Sequence, residues 1–296
     1  MIKKLITHNG SFHADDIFAA AAFSLMLEKR GDNFKIIRTR DPEIIKNGDY
    51  VFDVGGIYEP KKNRFDHHQI SFKEKRKSGI LYSSIGLVWK KYGIEICGRK
   101  EIRDYLEKVI IEQIDANDNG ISIFTPLTTH TTNYDISLII ASFRPAWGEK
   151  DSLKFFKNAV KFAKQVIKKE IKQYNALLKI KKLINQAHKK SKNKKLLILD
   201  TEIPRYLISI AIKKYKNIYF IIFKDNKEWK VLTVHKKDGI FENKKNLPSA
   251  WAGQRDEKLQ KITGIKDAIF CHRGRFMAVA KTKEGAIKLA ELALLA

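Results

Sequence analysis

Four short segments carry side chains with the chemistry of hard metal ligands. They are His8-Asn9-Gly10-Ser11-Phe12-His13-Ala14-Asp15-Asp16, the lone Asp53, Phe65-Asp66-His67-His68-Gln69, and Ile114-Asp115-Ala116-Asn117-Asp118-Asn119-Gly120. Carboxylates and imidazoles without sulfur suit Mn²⁺, Mg²⁺, Zn²⁺ or Fe²⁺, and two ions explain why so many ligands are present. A metal pair ~3.5–4 Å apart activates a water and stabilises both the attacking and the leaving oxygen of a phosphoryl centre. A carboxylate bridging such a pair must be short and rigidly placed, as Asp53 is at the end of the apolar run Tyr50-Val51-Phe52. Singly, each segment has a plain structural explanation. His8 suits a loop end, Asp15 or Asp16 a helix cap, and Asp53-Val54-Gly55-Gly56 a tight turn. Asp66 to His68 suits a surface turn, and 115–120 a helix terminus closed by glycine. Together, in an order that one α/β sheet can gather, they point to a metal centre.

The surrounding pattern supplies such a sheet. Strands are predicted over 4–7, 34–38 and 49–54, and helices over 14–29, 82–92, 101–114 and 135–143. Asp15 and Asp16 fall in the first turn of the first helix, the positive end of its dipole. The alternation predicts a mainly parallel α/β sheet, in which segments beyond the carboxyl ends of the strands meet in one crevice. Further on, strands over 195–199, 217–223, 229–234, 268–271 and 275–280 with a closing helix over 282–295 describe a smaller α+β domain. The expected organisation is a catalytic domain over 1–148, a helical connector over 149–194 and a substrate-binding domain over 195–296.

Composition narrows the class. The 296 residues are 44% hydrophobic and 31% charged, enough to bury a core. Only Cys97 and Cys271 carry thiols, which excludes a disulfide framework and a thiolate zinc cluster. The N-terminus lacks a signal peptide's apolar stretch, and no apolar run approaches the ~20 residues that cross a bilayer. A soluble, cytoplasmic protein without a membrane partner is expected, and its apolar second domain permits a homodimer. The net charge is +25, and 150–195 holds sixteen lysines against Asp151 and Glu170. Apolar residues there recur at helical steps, from Phe155 and Phe156 to Leu177 and Leu178. The lysines form either a rail for a polyanion or a solvated face in a lysine-rich chain.

At the ligand-bearing residues the sequence resembles the DHH phosphoesterase superfamily: Asp66-His67-His68 follows a strand-end Asp53, with a His/Asp loop before and a helical Asp115 after. It is more similar still to the melanocyte-proliferating-gene (Myg) exonuclease family, often labelled "metal-dependent protein hydrolase". The shared pattern is His8-x4-His13-x-Asp15-Asp16, Phe52-Asp53-Val54-Gly55-Gly56, Arg64 to Gln69, Ser84-x-Gly86-Leu87-Val88-Trp89 and 114–120. It continues at Trp251-Ala252-Gly253-x-Arg255-Asp256-Glu257, His272 and Lys281-Thr282-x-Glu284-Gly285-Ala286. The resemblance implies one metal on His8, His13 and Asp53, and a second on Asp15, Asp53, His67 and Asp115. It leaves His68 to contact phosphate or donate a proton, Asp66 to orient a histidine, and Asp16 and Asp118 outside the ligand set. Two departures stand out: most superfamily members have a carboxylate where His13 stands, and Phe276-Met277-Ala278-Val279-Ala280 replaces the glycines usual in the second domain.

In that domain His272, Arg273, Arg275 and Lys281 are candidate phosphate contacts, Arg273 and Arg275 being equally suited to an exposed turn around Gly274. Trp251 beside Arg255 suits a base-stacking platform, against burial in a domain seam. The expected function is that of a two-metal phosphodiesterase, by resemblance a 3′–5′ exonuclease on single-stranded RNA, or DNA, that releases nucleoside monophosphates; Mn²⁺ is the expected ion. The alternatives are a phosphoesterase of short oligonucleotides, cyclic dinucleotides or pyrophosphate, and a non-catalytic metal-stabilised RNA-binding protein. A protease is not expected, since neither a His-Glu-x-x-His helix nor a nucleophile elbow occurs.

Overall fold

A computed structural model describes residues 1–128, 130–150, 153–236 and 242–296. Asp151, one of the two acids in the lysine-rich stretch, lies outside the described residues. The chain forms two compact units, Met1–Tyr174 and Asn175–Ala296, each built on a five-stranded sheet.

The first unit contains β1 (Lys3–Thr7), α1 (Ala14–Arg30), β2 (Phe34–Arg38), α2 (Pro42–Lys46) and β3 (Tyr50–Phe52). The short strands β4 (Tyr58–Glu59) and β5 (Arg64–Phe65) follow, then α3 (Ser84–Cys97), α4 (Lys100–Leu106), α5 (Glu112–Asp118) and α6 (Ile136–Ala141). A π-helical turn at Glu107–Ile111 joins α4 to α5. The sheet order is β2-β1-β3-β5-β4, with only β4 antiparallel to its neighbour. Because β1, β3 and β5 run the same way, the residues that follow them emerge at one edge: His8 after Thr7, Asp53 after Phe52, Asp66 and His67 after Phe65. That is how residues far apart in sequence come to share one site.

Packing holds this edge in place. Helix α1 is buried continuously from Ala14 to Leu27, as expected of an alanine-rich helix with apolar residues all round. Its start is fixed by Asp16 Oδ1, which accepts the His13 backbone N–H at 2.8 Å, and its end by Gly31 at φ 78°. Phe23 of α1 meets Tyr50, Phe52, Phe65 and Tyr92 with ring centroids 5.0–5.8 Å apart, pinning the helix over β3 and β5.

Helix α7 (Leu153–Lys190) begins in the first unit and ends in the second. The second unit orders its strands β6-β7-β8-β10-β9. These are β6 (Leu196–Leu199), β7 (Phe220–Asp225), β8 (Glu228–Thr233), β9 (Ala268–Cys271) and β10 (Met277–Ala280), with helices α8 (Arg205–Ala211), α9 (Asp256–Thr263) and α10 (Lys283–Leu295). Only β6 and β7 pair in parallel. Its core joins Phe220, Ile222, Val231, Leu259, Leu289 and Trp251. The fold class is α/β, with a mainly parallel sheet first and an α+β unit second.

Candidate metal centre

The turn after β3 sets the centre of the site. Asp53 sits in the left-handed region at φ 55°, and Gly55 and Gly56 follow at φ 97° and 67°. Such a backbone is uncommon for a side-chain-bearing residue, Asp and Asn being the best tolerated. It leaves the Asp53 carboxylate between two imidazoles: Oδ2 is 3.1 Å from His8 Nε2 and Oδ1 is 3.4 Å from His67 Nε2. Ser84 Oγ donates to Oδ1 at 3.2 Å. Burial raises the Asp53 carboxyl, but His67 and His8 outweigh it and hold the group well below the usual carboxylate range.

The acids gather on both sides of Asp53. Asp16 Oδ2 lies 3.5 Å from His8 Nε2. Asp15 Oδ2 and Asp118 Oδ2 lie 3.7 and 3.4 Å from His67 Nε2. His8 Nδ1 is 2.9 Å from the Asn9 carbonyl; with a proton on Nδ1, Nε2 faces the carboxylates and either donates to Asp53 when protonated or keeps a lone pair for a cation. Both Asp15 oxygens, Asp16 Oδ2 and His67 Nε2 are buried with no hydrogen-bond partner among the described residues. Unpaired buried carboxylate oxygens are costly. Burial accordingly pushes Asp15 well above its ordinary value and Asp16 up to about 7, with Asp53 adding repulsion in both cases. A divalent cation would satisfy these atoms, so the donor set fits a metal centre. The groups His8/Asp16/Asp53, Asp53/His67/His68 and Asp15/His67/Asp118 each present ligand atoms within 4.8 Å of one another.

Asp66 organises the Asp-His-His turn. Its Oδ1 accepts from the backbone N–H of His67 at 2.8 Å and of His68 at 3.2 Å, and its Oδ2 from Gly56 N–H at 2.6 Å. The same Oδ1 is 2.7 Å from His68 Nδ1. That bond raises the His68 pKa, against a smaller opposing effect of burial, and the ring remains 62% exposed.

Of the six metal positions expected from sequence, His8, Asp15, Asp53 and His67 come together. His13 lines the same cavity, of about 630 Å³, with its ring centroid 6.2 Å from that of His8; burial and nearby Arg144 lower its pKa. Asp115 points elsewhere. Arg76 Nε donates to its Oδ2 at 2.6 Å, and Ser83 Oγ and N–H donate to its Oδ1 at 2.6 and 3.2 Å. One helical turn on, Asp118 faces His67 instead. Arg144, which sequence reasoning passed over, lines the cavity and donates Nε–H to the Phe12 carbonyl at 2.7 Å. A single arginine in a polar linker gives no spacing signal, so only the fold reveals it.

In the second unit one expectation is corrected. Trp251 is 4% exposed and packs in the core, so it is no base platform; its ring completes the packing under the sheet, while the polar character of its sequence neighbours belongs to the surface. Arg255 is exposed, its guanidinium 4.9 Å over the Phe270 ring. His272 lies 6.2 Å from Phe270 and 4.2 Å from Phe276 between ring centroids, and Arg205 stands 4.9 Å over Phe276. Arg273 and Arg275 occupy the turn between β9 and β10, Arg275 at φ 56°, and Lys281 lies past the far end of β10.

A mainly parallel α/β sheet that collects buried carboxylates and imidazoles at its carboxyl edge offers the donor set of a metal centre. The chain belongs to the MYG1 exonuclease family: the family model MYG1_exonuc, described as an uncharacterised protein family (UPF0160), matches residues 4–294. It is 33% identical to the MYG1 protein C694.04c of Schizosaccharomyces pombe, over 98% of this chain and 97% of that protein. It is 30% identical to the human MYG1 exonuclease, over 97% of this chain and 85% of that protein. Among solved structures, RecJ of Thermus thermophilus in complex with Mn²⁺ gives a TM-score of 0.29 at 11% identity, over 99% of this chain and 52% of that one, too distant a likeness to bear on function. Among the described residues, no helix is long and apolar enough to cross a membrane.

Proposed function

We propose that this chain is a two-metal phosphodiesterase that removes nucleoside monophosphates from the 3′ end of single-stranded nucleic acid, preferring RNA. The observation that carries the proposal is the Asp53 carboxylate between His8 and His67, with the unpaired Oδ2 of Asp16 on one side and both unpaired oxygens of Asp15 on the other. His8, Asp16 and Asp53 would hold one ion, and Asp15, Asp53, His67 and Asp118 the second, with His13 at the cavity rim as a further ligand. Mn²⁺ is the ion we expect, since hard oxygen and imidazole donors without thiolate suit it. When bound, such ions supply Lewis acidity and lower the pKa of water.

The protein's own groups supply the rest. His68, biased toward its cationic form by Asp66, stands at the cavity with an exposed ring and is placed to donate a proton to a leaving oxygen. Arg144 offers a guanidinium to non-bridging phosphate oxygens. In the second unit, Arg255, His272, Arg273, Arg275 and Lys281 are the proposed substrate contacts. The buried free thiols of Cys97 and Cys271 suit a reducing compartment, and we assign the chain to the cytoplasm.

The test is turnover of a 5′-labelled single-stranded RNA, and of the matching DNA, with Mn²⁺. The proposal expects a ladder shrinking from the 3′ end, abolished by EDTA and by Asp53→Asn, and faster on RNA. Intact strands in every lane would overturn it, and shortening from the labelled end would reverse the polarity.

A further inference from the structure

We propose that the groove between edge strand β2 and the first half of α7 is a docking track for the phosphate backbone of a single-stranded nucleic acid, leading toward the metal-site loop. The inference builds on the exonuclease proposal but concerns a different surface. Strand β2 is the free edge of the first sheet. Beside it lies a groove of about 370 Å³ lined by half-buried Phe34 and Ile36 from β2 and by Lys157, Lys161, Lys164 and Lys168 from α7.

The lysines recur at steps of four, three and four, which places them on one side of a helix. Among the described residues, Glu28 is the acid that reaches them: it pairs with Lys164 and lies 3.5 Å from Lys168. Lys157 and Lys161 are exposed and make no ion pair among the described residues. At 1.5 Å per residue the row from Lys157 to Lys168 spans about 16 Å, roughly five nucleotides of a stacked strand at about 3.4 Å each. A merely solvated lysine face needs neither a groove nor an apolar floor. A strand needs both, phosphates on the cations and sugars or bases on Phe34 and Ile36. A lipid surface fits less well, because it requires an apolar face presented outward.

The groove also has a direction. Strand β2 ends at Arg38, whose guanidinium donates to the carbonyls of His8 and Gly10 and stands 4.7 Å over the Phe156 ring. The Lys157 end of the row therefore adjoins the loop that carries His8 and His13.

The experiment compares Lys157→Gln/Lys161→Gln/Lys168→Gln with a control of equal charge change, Lys61→Gln/Lys77→Gln/Lys108→Gln, three lysines elsewhere in the same unit. Lys164 is left intact because it is the closer of the two lysines to Glu28 and keeps that acid paired when Lys168 is changed. Binding of a fluorescent 20-nucleotide RNA is measured against salt on the Asp53→Asn background, so the strand stays whole, with circular dichroism to verify folding. The groove variant should bind about tenfold or more weakly, with a log–log salt slope flatter by about 2, as expected when three phosphate contacts to a single strand are lost. In the active protein the same triple change should raise KM for the 20-mer and leave dinucleotide turnover unaltered. An equal loss in both variants, or an unchanged slope, would overturn the track. So would loss of binding to anionic vesicles with RNA binding retained. If the groove variant loses RNA binding but no form of the protein turns over any strand, the track stands and the exonuclease proposal falls.

Discussion

A Cβ added to Gly86 would stand 2.2 Å from Asp115 Oδ2. That carboxylate is fully buried and fixed by Arg76 and Ser83, so it cannot retreat cheaply. The glycine in the first turn of α3 is therefore the space in which the Asp115–Arg76 pair is built. Gly86→Ala should lower the urea midpoint by an amount worth about 1–3 kcal/mol, as for overpacking of a close-packed interior. An unchanged midpoint would mean that α3 shifts freely and the pair is not rigid.

Asp115 and Asp118 should separate cleanly by readout. Asp115→Ala leaves the Arg76 guanidinium, whose side chain is 5% exposed, with Glu107 as its remaining carboxylate, and losing the fully buried partner should cost up to about 3–5 kcal/mol. Thermal unfolding should fall steeply before any effect on metal is considered. Asp118→Ala removes a carboxylate 3.4 Å from His67 Nε2 and should instead weaken Mn²⁺ binding, measured by calorimetry, at near-native stability. The reverse pattern would return Asp115 to the ligand set implied by family resemblance.

Asp66→Asn addresses proton donation. Asp66 raises the His68 pKa through the 2.7 Å bond to Nδ1. A general acid must be protonated to work, so activity should decline on the alkaline side as His68 loses its proton. The amide removes the charge that favours the cation, and the alkaline limb of the kcat profile should move to lower pH. A limb that stays in place would assign the decline to another group.

These contrasts also mark what the amino-acid order can reveal. His8 and Asp53 are legible because each closes a short strand-like run, and His67 because it sits in the Asp66-His67-His68 motif; parallel strands bring such ends to one edge. The choice between Asp115 and Asp118 is not, since both lie within one turn of a helix and its rotation is set by packing against α1 and α3. Asp16 reads as a cap and does serve as one through Oδ1, yet its Oδ2 turns toward His8. Strands β4 and β5 have two residues each, too few to register a period of two. Trp251 misleads because its sequence neighbours are polar, whereas its burial depends on β9, β10 and α9 closing over it. Arg76 sits in a lysine-flanked run that looks like surface, and its partners are 31 and 39 residues away.

The buried acids tie metal binding to pH. Asp16 is raised to about 7 from an ordinary 3.8, and Asp15 well above the same value, chiefly by burial and then by Asp53. A carboxyl with a raised folded-state pKa holds its proton more tightly when folded, so metal-free stability falls as pH climbs from the ordinary to the raised value. His8 acts in the same direction: burial opposes its charge, but Asp53 and Asp16 outweigh that and raise its pKa. Its contribution is therefore complete below 6.5 and lost as pH rises through the raised value. Asp53, held low, contributes fully throughout this window. The EDTA-treated protein should thus melt at a lower temperature at about pH 8 than at about pH 5.5. Mn²⁺, whose binding requires these groups deprotonated, should raise the melting temperature far more at about pH 8, where its charge replaces the missing protons. Equal melting temperatures for the metal-free protein at the two pH values, or a larger Mn²⁺ effect at the lower one, would show that these carboxylates do not face one another as described.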